Sequence, residues 1–154
     1  MKYFTMDWWA NRCDPPSVCD DYKHYIDSVR DSLPEQIVRF VDGHMLHDSV
    51  VRELSVRPGD ETARFVADGF DLNLERSVAY ELEYAGVVTV AVRGDASENL
   101  PGPAGLGHLG YDEFELLEPG TFEHRLLFSS GVETLIRFRA FRFFATPAAD
   151  QRRQ

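Results

Sequence analysis

The chain has 154 residues, of which 44% are hydrophobic and 12% aromatic, and a formal net charge of −10 at pH 7. This length suits one domain with one core, and so high an apolar content excludes a disordered chain. The negative charge disfavours nucleic acid and anionic membrane surfaces as partners, because their phosphates are negative too. A basic surface on a partner protein is favoured instead, although acidic residues also serve solubility alone.

No segment has the composition of a targeting signal or a membrane span. Residues 1–9 lack the apolar run of roughly 7–15 residues that a signal peptide needs. No stretch approaches the ~18 apolar residues of a spanning helix. A cytoplasmic protein is therefore expected. The two cysteines, Cys13 and Cys19, are too few for a disulfide scaffold and are expected to be free thiols.

Two helices are predicted in the N-terminal third. Apolar residues recur every three or four positions over 17–31, which is the period of an amphipathic helix. The sequence Ser-Leu-Pro-Glu at 32–35 matches a capping box with proline in the first turn. A second, shorter helix should therefore run to about Asp42, where Gly43 ends it.

From Leu46 onward the apolar period changes to two, which is typical of β-strands. Short gaps that contain Gly or Pro separate the alternating segments and favour antiparallel neighbours. These segments are 46–57, 62–68, 76–84, 86–93, 110–117, 121–129 and 132–144. The predicted fold class is therefore α+β, with two N-terminal helices packed on a meander-like, predominantly antiparallel sheet of about six or seven strands.

One domain is expected to span 1–146, followed by a polar C-terminal tail, 147–154, that should fray. The segment from Gly94 to Gly107 is rich in Gly and Pro and is predicted to be a surface loop. Acidic residues alternate with apolar ones around Glu113 and Glu115, which predicts a solvated outer face of the sheet rather than a pair of catalytic carboxylates.

The segment 43–49 places two histidines and an aspartate at the junction between helices and strands. His44, His47 and Asp48 are residue types that bind metals, but their spacing matches no established zinc pattern. Neither a metal nor a cofactor is therefore predicted. We interpret His44 as a solvated residue just past a helix C-terminus, where a cationic side chain is favourable.

Strand alternation predicts which of the remaining candidate site residues face the core and which face solvent. If the apolar residues of 46–57 face inward, Asp48 and Arg52 do so too, whereas His47 points to solvent. His124 lies on the apolar face of its own strand. Buried charged groups need partners, so Asp48, Arg52 and His124 are predicted to form an internal network. Two interpretations stay open: an acid/base pair of Asp48 and His124 in a cleft, or a network that fixes the structure.

Three parts of the chain carry a resemblance to a known family. They are the opening Lys2-Tyr3-Phe4-Thr5 with Trp8, the Leu46-His47-Asp48-Ser49 start of the first strand, and 122–128 with Ile136-Arg137-Phe138. Together they resemble small bacterial proteins grouped as the domain of unknown function 4085. The resemblance implies a bacterial, cytoplasmic α+β protein and offers no catalytic residues to carry over. Small acidic proteins of this build also look like immunity proteins that neutralise toxins.

We predict a non-catalytic binding protein, with toxin neutralisation as one case. An acidic face or the loop Gly94–Gly107 would contact the partner protein. One alternative is a small metal-dependent or acid/base enzyme that uses His47, Asp48 and His124. Another is a homodimeric structural protein whose sheet edge or Phe-rich C-terminal strand pairs with itself.

Overall fold

The computed structural model describes residues 1–94 and 106–148. Within these ranges the chain forms three helices: α1 (Met6–Ala10), α2 (Ser17–Val29) and α3 (Glu35–Gly43), with a 3-10 turn over Arg30–Ser32. The prediction of two helices is wrong by one, because α1 has only five residues and is too short to show a period. Thr5 begins it, since its hydroxyl accepts a hydrogen bond from the backbone N–H of Trp8 at 3.2 Å.

The described residues also form one antiparallel sheet of eight strands. The strands are β1 (Ser49–Arg57), β2 (Thr62–Phe70), β3 (Ser77–Ala85), β4 (Thr89–Arg93), β5 (His108–Glu118), β6 (Thr121–Phe128), β7 (Glu133–Phe138) and β8 (Ala140–Pro147). The α+β class is confirmed, but the number of strands exceeds the six or seven predicted. The segment 132–144 divides at Arg139, whose N–H bonds to the carbonyl of Ala85 at 3.0 Å.

The strand order is β4-β7-β6-β5-β1-β2-β3-β8, so the sheet consists of two meanders rather than one. They join where β1 and β5 pair at only two positions, Ser49 with Leu109 and Val50 with His108. Beyond that point β5 has no strand on this side, and tyrosines of α2 take over its hydrogen bonds. The hydroxyl of Tyr22 accepts from the N–H of Phe114 at 2.7 Å, and that of Tyr25 from the N–H of Leu116 at 2.8 Å.

The two halves of the sheet face each other across one core. The rings of Tyr84 on β3 and Phe138 on β7 lie 5.1 Å apart, and those of Phe114 on β5 and Phe141 on β8 lie 5.3 Å apart. Phe40 of α3 enters between the halves and packs against Phe114 and Phe141, both at 5.9 Å. The helices therefore complete a core that the sheet leaves open on one side.

The structure also bears on three further predictions. Cys13 and Cys19 are free thiols, as predicted. No helix in the described ranges is long and apolar enough to cross a membrane. Most of the predicted loop Gly94–Gly107 and all but the start of the predicted tail 147–154 lie outside the described residues.

Candidate functional site

A histidine, an aspartate and a tyrosine meet in the core between the two halves of the sheet. His124 on β6 is fully buried. Its Nδ1 lies 2.8 Å from the hydroxyl of Tyr84, and its Nε2 lies 2.9 Å from Oδ2 of Asp112. The imidazole ring stacks on Phe114 at a centroid distance of 3.9 Å and an interplanar angle of 7°.

One partner of His124 lies on the strand paired with β6, and the other comes from the opposite half of the sheet. On β5 and β6 His124 pairs with Phe114, and Leu126 pairs with Asp112, so the aspartate lies diagonally across from the histidine on the same face. Tyr84 comes from β3, in the other half of the sheet. The inward position of His124 agrees with strand alternation, whereas neither partner was predicted.

Both ring nitrogens of His124 have a hydrogen-bond partner, so the imidazole is held from both sides. An ionised Asp112 carboxylate can only accept, so Nε2 donates to it, and the Tyr84 hydroxyl is the partner of Nδ1. Burial, reinforced by the charge of Asp112, raises the pKa of Tyr84 well above its ordinary value, which keeps the phenol a donor. A general base must lie within hydrogen-bond reach of its substrate. His124 has no exposed atom and both nitrogens engaged, so the cluster stabilises the core.

The predicted network of Asp48, Arg52 and His124 does not form. Asp48 has a side chain that is 58% exposed, and Arg52, 61% exposed, pairs with Asp68 on the outer face. The cause is a β-bulge between Val51 and Glu53, which inserts Arg52 as an extra residue in the ladder. The bulge moves Ser49, Val50 and Val51 to the faces opposite to those that simple alternation gives. Asp48 itself precedes β1 and has a positive φ of 60°, so strand alternation does not extend to it.

The two histidines of the junction are less solvated than predicted. His44 is the C-cap residue of α3, but its ring packs at 4.9 Å from that of Phe143, and burial, with the charge of Arg39 nearby, lowers its pKa. It therefore does not act as a solvated cation. His47 is half-buried, and its Nδ1 lies 2.5 Å from the carbonyl oxygen of Gly110.

The junction brings together only His47 and Asp48, with Nε2 and Oδ2 at 3.6 Å. Among the described residues no three His, Cys, Asp or Glu side chains are arranged to hold a metal ion.

A buried ion cluster on the outer face of β5, β6 and β7 was missed by sequence reasoning. Arg125 donates to Glu113 at 3.1 Å and to Glu123 at 2.6 Å, and it also pairs with Glu115. Glu113 is only 1% exposed, because the N-terminal segment lies over it. The N–H of Tyr3 donates to Glu113 at 2.9 Å. This part of the outer face is therefore covered rather than solvated, and only the tertiary path of residues 1–4 reveals it.

The outer face of β1, β2, β3 and β8 carries an open groove of about 480 Å³. Its floor is a row of register partners with mostly short side chains, namely Arg57, Thr62, Ala85 and Ala140. The neighbouring row is Ser55, Arg64, Glu83 and Arg142, whose long side chains on β2, β3 and β8 form a wall. The groove therefore crosses all four strands.

Charged side chains line the groove. Arg64 is held from two sides, by Glu53 at 2.8 Å and by Glu81 at 2.6 Å. Arg142 makes one contact, from Nη2 to Glu83 at 2.8 Å, and remains 72% exposed. Among the residues that the structure describes, Arg57 makes no ion pair. The groove thus offers guanidinium donors to a ligand.

No protein-family model, curated protein or solved structure matches the chain. The chemistry of the described side chains is therefore what bears on function.

Proposed function

We propose that this protein is a non-catalytic binding protein whose partner, another protein, docks in the groove of β1, β2, β3 and β8. The observation that carries the proposal is the accessibility of the groove: its charged donors and acceptors face solvent, whereas the imidazole of His124 is fully buried between Tyr84 and Asp112. Accessible polar groups can recognise a partner, and a sealed base cannot reach a substrate. Neutralisation of a toxin is one case of this function.

The composition around the groove supports a protein partner. Phe144 on β8 lies one row beyond the wall, directly opposite Glu81, and is 50% exposed. It stands two residues from Arg142, on the same face of the same strand. Arginine and exposed aromatic side chains are the types most enriched at protein interfaces and at their energetic centres. Phe144 is therefore an apolar anchor beside the charged groove.

Affinity capture with groove variants tests this proposal. The wild-type protein, Ala85→Trp and Ala79→Trp would each be immobilised and exposed to extract of the native host. Ala85 is exposed on the groove floor, so an indole there occupies the groove without entering the core. Ala79 lies on the same face of β3 but outside the groove, which makes Ala79→Trp the matched control.

The expected result is a protein retained by the wild type and by Ala79→Trp and lost with Ala85→Trp, while circular dichroism shows all three folded. Capture that Ala85→Trp leaves unchanged would contradict the groove as the binding site. Capture of nothing but a second copy of this chain would favour the homodimer instead, which sedimentation would verify. The resemblance to the domain of unknown function 4085 stays a prediction.

A further inference from the structure

We propose that the groove receives an extended, acidic segment of the partner protein, with carboxylates bound by Arg57 and Arg142. This inference rests on the proposed function and adds the chemistry of the partner. An acidic segment is the opposite of the basic partner that the overall charge of −10 favours.

The floor of the groove has the shape for an extended chain. Thr62, Ala85 and Ala140 are short, so a backbone can approach the sheet closely along this row. Neighbouring strands are ~4.8 Å apart, so the row from β1 to β8 crosses three spacings, or about 14 Å. An extended peptide advances ~3.4 Å per residue, so about four residues cover this length. Acidic residues four positions apart would therefore reach both ends of the groove.

Among the described residues, the arginines at the two ends of the groove make fewer ion pairs than the arginine between them. Arg57, at the β1 end, makes no ion pair among the described residues, and Arg142, at the β8 end, uses only Nη2. Arg64, between them, is committed to Glu53 and Glu81 and so serves as part of the wall. A guanidinium offers five N–H donors in a planar fork that matches a carboxylate with two parallel hydrogen bonds. Recognition of acidic motifs by arginine clusters follows from this geometry.

The local charge of the groove also opposes a basic occupant. Three arginines line it, Arg57, Arg64 and Arg142, against the two glutamates Glu53 and Glu83. A lysine or arginine placed on the floor would meet Arg57, and the glutamates Glu53 and Glu83 are already shared with Arg64 and Arg142. The overall negative charge repels an acidic segment at long range, but salt screens exposed charges beyond ~8 Å at physiological ionic strength. Contacts within the groove therefore decide the affinity.

Fluorescence anisotropy with labelled peptides tests this inference. The probe is an octapeptide of Ser and Thr with glutamates four positions apart, and the matched peptides carry Gln or Lys at both positions. We expect the Glu peptide to bind about tenfold more tightly than the Gln peptide, because it makes two exposed charged pairs and each is worth a factor of about three. Arg57→Gln and Arg142→Gln should each remove about that factor. Arg39→Gln, an exposed arginine on α3, should change nothing.

Equal affinity for the Glu and Gln peptides, tighter binding of the Lys peptide, or no binding of any peptide overturns the inference. Binding of free glutarate as tight as that of the Glu peptide overturns it too, because the occupant would then be a small anion. The captured partner could be lost with Ala85→Trp and still be retained by Arg57→Gln and Arg142→Gln. That result would overturn only the inference that the bound segment is acidic. The proposed function would then stand, whereas capture insensitive to Ala85→Trp removes both.

Discussion

Replacing Arg125 by methionine removes the cation from a cluster of buried carboxylates while keeping a side chain of similar length. Glu113 and Glu123 are almost completely buried, and Arg125 donates to them at 3.1 and 2.6 Å. Glu115 pairs with the same guanidinium. In Arg125→Met these three negative charges stay close together on β5 and β6 without the arginine that joins them.

The expected loss of stability depends on the hydrogen-bond and ion-pair partners that each carboxylate keeps after Arg125 is replaced. Breaking a buried ion pair by removing one partner costs about 3–5 kcal/mol. Glu113 keeps backbone N–H donors from Tyr3 and Phe4, and Glu123 keeps Arg137 at 2.9 Å. We therefore expect the lower end, about 3 kcal/mol. For a chain of this length that corresponds to a fall in Tm of about 6–12 °C.

Urea unfolding at pH 7, followed by circular dichroism, measures this loss. Arg52→Met is the matched control, because Arg52 and Asp68 form an exposed pair on the same sheet. Exposed pairs contribute less than about 1 kcal/mol, so this variant should unfold almost as the wild type does. A loss in Arg125→Met no larger than in Arg52→Met would refute the reasoning.

Acid pH gives a second test of the same cluster. Burial by itself raises the pKa of Glu115, but hydrogen bonds from Lys2 and Arg125 outweigh burial and hold the pKa below its ordinary value. A depressed pKa in the folded state stabilises the protein at pH values above the pKa of the unfolded chain. That contribution disappears as the pH falls through the folded pKa. The difference between wild type and Arg125→Met should therefore shrink below about pH 4, and growth of the difference would contradict the ion pair.

Three other substitutions test the core and its edges by urea unfolding. Tyr84→Phe removes the donor to His124 and should cost about 1–3 kcal/mol, and a loss near zero would show that this hydrogen bond is not made. Gly110→Ala places a Cβ in steric overlap with the six-membered ring of Trp9, so the loss of about 1–3 kcal/mol of stability and a change in tryptophan fluorescence are expected, and an unchanged spectrum would argue against the contact. Thr134→Val removes a buried hydroxyl that has no partner among the described residues, and it should stabilise by about 1 kcal/mol rather than destabilise.

Local sequence patterns predicted the elements in which apolar residues recur at a regular spacing and face the core on one side. α2 and α3 lie where apolar spacings of three and four placed them, although the predicted capping box does not form, because Pro34 and not Ser32 is the N-cap residue of α3 and no side chain caps that helix. The strands β2, β3 and β7 follow the alternation of period two. His124 faces the core, as its position on an alternating strand indicates. Each of these features depends on neighbours along the chain, and so one sequence contains the necessary information.

Local patterns failed where a feature depends on a distant part of the chain. The bulge at Arg52 reversed the faces of Ser49, Val50 and Val51, and alternation contains no signal for an inserted residue. Asp48 precedes the strand with a positive φ of 60°, where alternation does not apply. The strand beyond Arg139 changes its partner from β6 to β3, which divides 132–144 into β7 and β8 without a break in period.

The chain thus determined by itself its class, the bounds of most elements and the inward face of His124, because hydrophobic periodicity acts over a few residues. Tertiary structure alone decided that Asp112 and Tyr84 are the partners of His124, since they belong to other strands. It also decided where the accessible chemistry lies. The groove exists because four strands from both ends of the sequence align one row of short side chains beside one row of long ones, and the pairing register, a long-range property, sets that alignment.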